Sequence, residues 1–240
     1  MSAHGKCLLC IIEAGPLADA TPVGTYTIDY RDIAAVVRDV PLPAPQPTRA
    51  DLMGHVRAIE QIMSKRTVIP VALGNIADSE EQVSQSVLAS RYDEWRALLT
   101  RLAGKVELGL KALWKETAAV VAEVVAERED IRALRDDIAR RRQAATYQER
   151  IEVGSLVAEA LADKKRREGE AILRALAPLA AEVQSGKLLG ENMILNAAFL
   201  VERERESEFD GAVSCIAEDL RQRVAFRYVG PAPPFNFVGI

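Results

Sequence analysis

Cys7 and Cys10 form the one C-x-x-C pair in the chain, a spacing used elsewhere for zinc binding or thiol–disulfide exchange. The apolar residues around them predict a β-strand over residues 6–12. Side chains three residues apart on a strand point to opposite faces, and no second Cys or His pair lies nearby. We therefore interpret both cysteines as core residues, and we predict no metal site and no cofactor.

The chain has two histidines, His4 and His55. Histidine is the most frequent general base in enzymes, but it acts on a nucleophile or beside a carboxylate, and no motif supplies either group here. We interpret His55 as a histidine at the edge of a helix that contacts a sheet. Because Walker, G-x-G-x-x-G, G-x-S-x-G and H-E-x-x-H motifs are also absent, the sequence predicts no catalytic residue, and we interpret the protein as not an enzyme.

A run of four basic residues, 164–167, is the strongest local concentration of positive charge. Asp163, Glu168 and Glu170 lie beside it and largely cancel its charge, so we interpret the run as a solvated helix face. The formal net charge of the whole chain is −4. Because nucleic-acid binding requires a basic surface, we predict no nucleic-acid partner.

Composition and hydropathy are typical of a globular protein, with 49% hydrophobic and 28% charged residues in a chain of 240. Three cysteines, an odd number, favour a reducing compartment. The apolar run at 7–12 is shorter than a signal-peptide core, and the longer run Met193–Val201 is far below the ~20 residues that cross a bilayer. We therefore predict a cytoplasmic protein without a membrane partner.

Alternating strand and helix patterns over residues 1–115 predict an N-terminal α+β domain. Strands are predicted at 6–12, 25–28, 33–37, 67–71 and 105–114. The last of these alternates, and Lys105, Glu107, Gly109 and Lys111 are predicted to form its solvent-facing side. A proline-rich loop at 41–47 leads to a helix that Thr48 and Asp51 cap. Ser79 and Gln82 form a second capping box, predicting a helix that ends near Gly104.

Residues 116–240 predict a second α+β domain with long helices. Val124, Ile131 and Ile138 recur every seven residues within 117–150, which predicts a long charged helix with a narrow apolar seam. Residues 151–182 predict a second helix that returns beside it as a hairpin. The rest of the domain is predicted to begin with a buried central strand (193–201) and an amphipathic helix, whose apolar face carries Phe209, Val213, Ile216 and Leu220. A last strand (224–229) and a docked tail with Phe235 and Phe237 follow.

The C-terminal segments resemble the gas vesicle protein GvpF/GvpL family. The resemblance is carried by the strand Asn192-Met193-Ile194-Leu195-Asn196-Ala197-Ala198-Phe199-Leu200-Val201, by Phe209, and by the tail Gly230-Pro231-Ala232-Pro233-Pro234-Phe235-Asn236-Phe237-Val238. The N-terminal strand, His55, Thr67-Val68-Ile69-Pro70 before Gly74, and Val106-Glu107-Leu108-Gly109-Leu110-Lys111 agree in order, so that the resemblance covers nearly the whole chain.

The chain departs from the family pattern at two places. Where the family commonly has Pro-x-Arg-Phe-Gly-Thr, this sequence has Pro70-Val71-Ala72-Leu73-Gly74-Asn75, so any role of that arginine is absent. The tail aromatic, often tyrosine, is Phe235.

The resemblance implies two α+β domains with ferredoxin-like sheets and a non-enzymatic role in gas vesicle formation, as an assembly factor or a minor vesicle component. It implies that the protein acts at the gas vesicle and in the cytoplasm. It implies as partners the small, very hydrophobic shell protein GvpA and other accessory gas vesicle proteins. Shielding apolar surface until polymerisation buries it is a physical need of such assembly.

Two other function classes are open to the same residues. One is a small-molecule-binding or catalytic α+β protein that uses a cleft between its domains; a cluster of His, Cys and carboxylate side chains would favour it. The other is a coiled-coil scaffold built on 117–150, whose apolar seam is short for such a role.

Overall fold

The computed structural model describes residues 4–15, 22–141 and 147–239. It has an α+β fold with two antiparallel sheets, which confirms the predicted fold class. The chain divides into two compact units, the first comprising 1–108, 200–204 and 229–240 and the second 109–199 and 205–228. The division into domains at residue 115 remains a prediction, and the strands at 105–114, 193–202 and 224–232 contribute residues to both units.

The first sheet is built around β1 (His4–Glu13), which pairs antiparallel with β3 (Ile33–Pro41). On its other side β1 pairs with two short strands, β4 (Ile69–Pro70) and β5 (Ile76–Ala77), while β2 (Thr25–Tyr30) pairs with β3. The register of β1 against β3 shifts between Leu8 and Cys10, as at a β-bulge. The three predicted N-terminal strands are therefore confirmed, and β4 is shorter than predicted.

Helix α1 (Arg49–Met63) packs on this sheet and begins where the sequence predicts. The Thr48 hydroxyl accepts from the Asp51 N–H at 3.2 Å, and the Asp51 carboxylate accepts from the Thr48 N–H at 2.8 Å. Both donors would otherwise lack an intrahelical partner. Ile59, Ile62 and Met63 of this helix pack against the apolar face of β1 and β3.

The predicted continuous helix from Ser79 to Gly104 is wrong. It divides into α2 (Glu80–Gln82), a π-helical segment (Val83–Leu88), a 3-10 turn (Ala89–Arg91) and α3 (Tyr92–Leu102). Two carbonyls in this stretch accept from side chains: Ser86 from the Ser90 hydroxyl, and Val87 from the Trp95 indole at 2.8 Å. Such side-chain bonds compete with the regular α-helical ladder.

The second sheet has the strand order β7-β8-β6-β9. Its strands are β6 (Lys105–Trp114), β7 (Glu182–Ser185), β8 (Met193–Glu202) and β9 (Val224–Ala232). Strand β8, the apolar run of the sequence, is internal to the sheet and almost completely buried, as predicted.

Three helices form the predicted charged hairpin: α4 (Thr117–Glu127), α5 (Glu129–Arg140) and α6 (Tyr147–Leu176). The prediction of one long helix over 117–150 is wrong, because Arg128 is extended, with φ −103° and ψ 105°. Its guanidinium donates to the Asp130 carboxylate, which lowers the pKa of that carboxyl to about 2. The predicted seam is confirmed, since Val124 and Ile131 are buried in one cluster with Ala160 of α6.

After β8 the chain forms α7 (Glu206–Asp219), and beyond β9 the tail forms a 3-10 turn (Phe235–Phe237). The tail docks as predicted: Phe237 is buried, and Phe235 packs against the core of α1 and the first sheet.

The prediction that Glu107 lies on a wet face of β6 is wrong. Glu107 is only 7% exposed. Its carboxylate accepts hydrogen bonds from the main-chain and side-chain N–H groups of Asn236 at 2.9 and 2.5 Å. Burial raises the pKa of Glu107, and these bonds oppose the shift.

Replacing Phe237 with alanine should lower the free energy of unfolding by roughly 3 kcal/mol, because a nearly buried aromatic ring would leave a cavity. Denaturant unfolding followed by circular dichroism measures this loss. Phe226→Ala is the matched control, since Phe226 is only partly buried in β9 and should lose less. Equal losses in the two variants would contradict docking of the tail by Phe237.

His55 lies in α1 with a fully buried side chain, and its Nε2 is 2.8 Å from the Val71 carbonyl oxygen. Its Nδ1 has no partner among the described residues. Burial lowers the pKa of His55 below its usual 6.5, with Arg38 adding to the shift and the Val71 bond opposing it. The folded protein therefore binds fewer protons at this site than the unfolded chain.

We expect His55 to make stability dependent on pH: its contribution is present above pH 6.5 and lost as pH falls through the lowered folded-state pKa. His55→Gln, which keeps an N–H donor for Val71, should show a smaller loss of unfolding free energy between pH 7.5 and 5 than the wild type. His4→Gln, at the exposed start of β1, is the control and should keep the wild-type dependence. An unchanged pH slope in His55→Gln would exclude this role.

Candidate functional site

The second unit contains an open cleft of about 380 Å³ between α6, α7 and the second sheet. Its lining is mainly apolar: Ala171, Ile172, Ala175, Ile194, Ile216, Leu220 and Val224, with Glu168, Asp219 and Arg223 as its polar members. A concave, largely apolar surface with a few polar groups is the usual form of a binding site. We refer to it as the α6–α7 cleft.

The helix residues around the cleft explain why it is open. Ala171 and Ala175 lie one turn apart on α6 and are exposed, so that this helix contributes small side chains to its wall. On α7, Phe209 and Val213 are buried, whereas Ile216 and Leu220 on the same apolar face are only half-buried. The last turn of the apolar face of α7, which the sequence predicts to be buried, therefore lines an open cleft.

A glycine brings α6 close to the sheet beside this cleft. A Cβ added at Gly169 would clash with the carbonyl oxygen of Ile194 in β8. Any larger residue at 169 would therefore move the helix or the strand. Ala171, two residues after Gly169 on the same helix, lines the cleft.

One end of the cleft is a hydrogen-bonded ion network. The Glu168 carboxylate accepts from the Trp114 indole at 2.6 Å and from the Arg223 guanidinium at 2.8 and 3.2 Å. Arg223 also donates to Glu123 of α4 at 2.6 Å. These bonds raise the pKa of Arg223, and the Arg223 bond lowers that of Glu123. Both groups consequently remain charged at neutral pH.

The same network corrects the interpretation of the 164–167 run as a solvated face. Lys164 is 9% exposed, and its ammonium lies 2.7 Å from Glu127 and 3.4 Å from Glu123. Lys165 lies over the ring of Trp114, with its Nζ 6.0 Å from the ring centroid. The run therefore contributes to packing between α4, α6 and β6, and only Arg166 and Arg167 are exposed.

The residues that the sequence offered for chemistry do not assemble into a site. Cys7 and Cys10 are 2% and 0% exposed on β1, which confirms the core interpretation, and burial raises the pKa of the Cys10 thiol. His55 contacts the main chain at Val71, as expected for a helix histidine beside a sheet. Within 4–15, 22–141 and 147–239, no group of three His, Cys, Asp or Glu side chains could hold a metal ion.

No pattern in the sequence indicates that Glu168 and Arg223 belong to one network. They are separated by more than fifty residues, and each lies among other charged residues in the sequence. One signal for the cleft was available: the predicted apolar face of α7 extends to Leu220, further than its buried part.

None of the helices in the described part of the chain combines the length and hydropathy needed to span a bilayer.

Known proteins match this chain over nearly its whole length. The family model of the gas vesicle synthesis protein GvpL/GvpF matches residues 8–239. Gas vesicle protein F of Nostoc sp. strain PCC 7120 is 30% identical over 195 residues, 80% of this chain and 79% of the relative. Gas vesicle protein F of Streptomyces sp. strain CB03234 is 30% identical over 206 residues, covering 86% and 84% of the two chains.

The structural comparison agrees with the sequence comparison. The crystal structure of the gas vesicle protein GvpF from Anabaena sp. PCC7120 superposes with a TM-score of 0.89 at 26% identity, covering 100% of this chain and 99% of that one. The predicted resemblance is confirmed, and the chain belongs to the gas vesicle synthesis protein GvpL/GvpF family.

Proposed function

We propose that this protein assists gas vesicle formation by binding the hydrophobic shell protein GvpA and limiting its aggregation before it polymerises. Membership of the GvpL/GvpF family supports a role in vesicle synthesis. A very hydrophobic subunit exposes apolar surface until assembly buries it, and such surface drives non-specific association. A protein that covers part of that surface slows the unwanted reaction.

The observation that carries this proposal is the α6–α7 cleft. It presents half-buried Ile216 and Leu220 opposite exposed Ala171 and Ala175, leaving about 380 Å³ open. An apolar segment of the shell protein is the occupant that this lining favours, because burial of apolar side chains is worth ~25 cal/mol per Å² removed from water. The small alanines leave room for large side chains of the partner.

The charged end of the cleft favours one orientation of the bound segment. Glu168 and Arg223 are already paired with each other, while Asp219 at the end of α7 is exposed. An apolar segment flanked by a basic residue fits this arrangement, because the basic group meets the Asp219 carboxylate while the apolar side chains enter the cleft. Charges at the rim of an interface mainly set orientation and association rate.

The proposed places of action are the cytoplasm, where shell subunits are made, and the growing gas vesicle. The proposed partners include other accessory gas vesicle proteins besides GvpA. The role requires no catalytic residue, cofactor or metal ion.

Deleting the gene from its host should leave few or no mature gas vesicles in electron micrographs, because unprotected shell subunits would aggregate before they assemble. Re-expression of the wild-type chain from a plasmid is the control. Normal vesicle number and shape in the deletion strain would exclude an essential role in assembly.

Ala175→Gln should weaken binding of GvpA roughly tenfold, because a long polar side chain would fill the centre of a binding surface. Both residues are good helix formers, so that folding should change little. The measurements are capture of co-expressed GvpA by the tagged chain and the fraction of GvpA that remains in the supernatant.

Ala158→Gln is the matched control, since Ala158 is an exposed alanine of the same helix outside the cleft lining. It should bind GvpA as the wild type does. Equal capture by the wild type and both variants would exclude the cleft, and absence of capture by the wild type would exclude the proposed partner.

A further inference from the structure

The first unit contains a cavity of about 300 Å³ whose lining differs from that of the α6–α7 cleft. We call it the basic pocket. Its walls are formed by the end of α1 and the turn after it, by the turn between α3 and β6, by Arg203 after β8, and by Pro234 of the tail. Its described lining is Met63, Ser64, Lys65, Arg66, Thr67, Val68, Leu102, Gly104, Lys105, Arg203 and Pro234.

Four cationic side chains line the basic pocket, and its described lining includes no carboxylate. Lys65 and Arg66 follow α1, whereas Lys105 and Arg203 come from segments about forty and one hundred and forty residues further along the chain. This convergence contrasts with the net charge of −4 of the whole chain. Like charges brought together in a concave site repel one another and raise the local concentration of anions.

Arg66 donates from Nη1 to the Glu13 carbonyl oxygen at 2.9 Å, whereas the described contacts of Lys65, Lys105 and Arg203 leave part of their hydrogen-bonding capacity unused. The Lys65 ammonium makes no described hydrogen bond or ion pair. Arg203 donates from Nη2 to the Met63 carbonyl oxygen at 2.8 Å, one of the five N–H donors of a guanidinium. Lys105 lies 3.4 Å from the Glu202 carboxylate and 3.4 Å from the Ala103 carbonyl oxygen, both long contacts.

The C-terminal end of α1 explains only part of this charge. Cations are favourable near a helix C-terminus, which accounts for Lys65, Arg66 and the Arg203 bond to Met63. It does not account for Lys105, which is the first residue of β6 and follows the Gly104 turn, where φ is +70°. Nor does it require the cations to surround an open cavity.

We propose that the basic pocket binds a small anion that carries phosphate, either inorganic phosphate or the phosphate group of an ester. Tetrahedral phosphate oxygens accept several charge-assisted hydrogen bonds at once, and Arg and Lys are the side chains that bind them in proteins. Arg203 contributes guanidinium N–H donors to the lining, and Lys65 contributes an ammonium group. Ser64 and Thr67 also belong to the lining, and the Ser64 hydroxyl donates to the Gln61 carbonyl oxygen at 2.7 Å. This inference does not depend on binding of the shell protein.

Isothermal titration of the full chain at low ionic strength tests the proposal, with inorganic phosphate, pyrophosphate and AMP as separate probes and sodium chloride of equal ionic strength as the blank. Binding of at least one phosphate probe, with none for chloride, is expected. Tighter binding of AMP than of both inorganic probes indicates a phosphate ester, and tighter binding of phosphate or pyrophosphate than of AMP indicates a free inorganic anion.

Lys65→Gln should weaken this binding roughly tenfold, since a charge-assisted hydrogen bond is lost. Lys65 is exposed, so that this variant should fold normally even if Arg203→Gln does not. Lys111→Gln, which removes an exposed lysine of β6 in the other unit, is the matched control and should bind as the wild type does.

Two results would overturn the proposal. One is the absence of heat with all three phosphate probes. The other is equal weakening in Lys65→Gln and Lys111→Gln, which would show a general effect of net charge.

Discussion

The Glu168 carboxylate is the group on which the arrangement of the second unit depends. It is 27% exposed on its side chain and accepts hydrogen bonds from the Trp114 indole and from Arg223. A buried indole N–H needs a partner, and a half-buried guanidinium needs a carboxylate. One side chain on α6 satisfies both needs, and it thereby ties the end of β6 to the residue that precedes β9. Arg223 extends the network to Glu123 and, through it, to Lys164.

The network also explains the form of the α6–α7 cleft. Gly169, beside Glu168, allows α6 to approach the Ile194 carbonyl in β8. The carboxylate reaches Trp114 and Arg223 because the helix lies this close to the sheet. Beyond this point α6 lines the cleft with the exposed small side chains of Ala171 and Ala175 and with the buried Ile172. The last apolar turn of α7 is left partly uncovered as a result, and an apolar partner would complete its burial.

The two units present surfaces of different chemistry. The second has an apolar cleft with a paired charge at one end, suited to apolar side chains. The first has a cavity lined with cationic side chains, suited to a small anion. In the first unit the docked tail contributes Pro234 to the wall of the pocket, while Asn236 bonds the buried Glu107 carboxylate. The tail residues that mark the family in sequence therefore act in the structure as part of the core.

Local sequence patterns determined most of the elements, because their causes lie within a few residues. The Thr48–Asp51 capping box starts α1, alternation builds β6, and an unbroken apolar run predicts that β8 is internal to its sheet. Only the tertiary structure decided which polar residues are buried: Glu107 has a partner 129 residues away in Asn236, and Glu168 one 55 residues away in Arg223. It likewise decided the break at Arg128, where one extended residue lets the seam of α4 and α5 reach Ala160. The cleft and the basic pocket were also decided only by the tertiary structure, because each is formed by side chains from several distant segments. No local sequence pattern shows which of these side chains stay accessible to solvent.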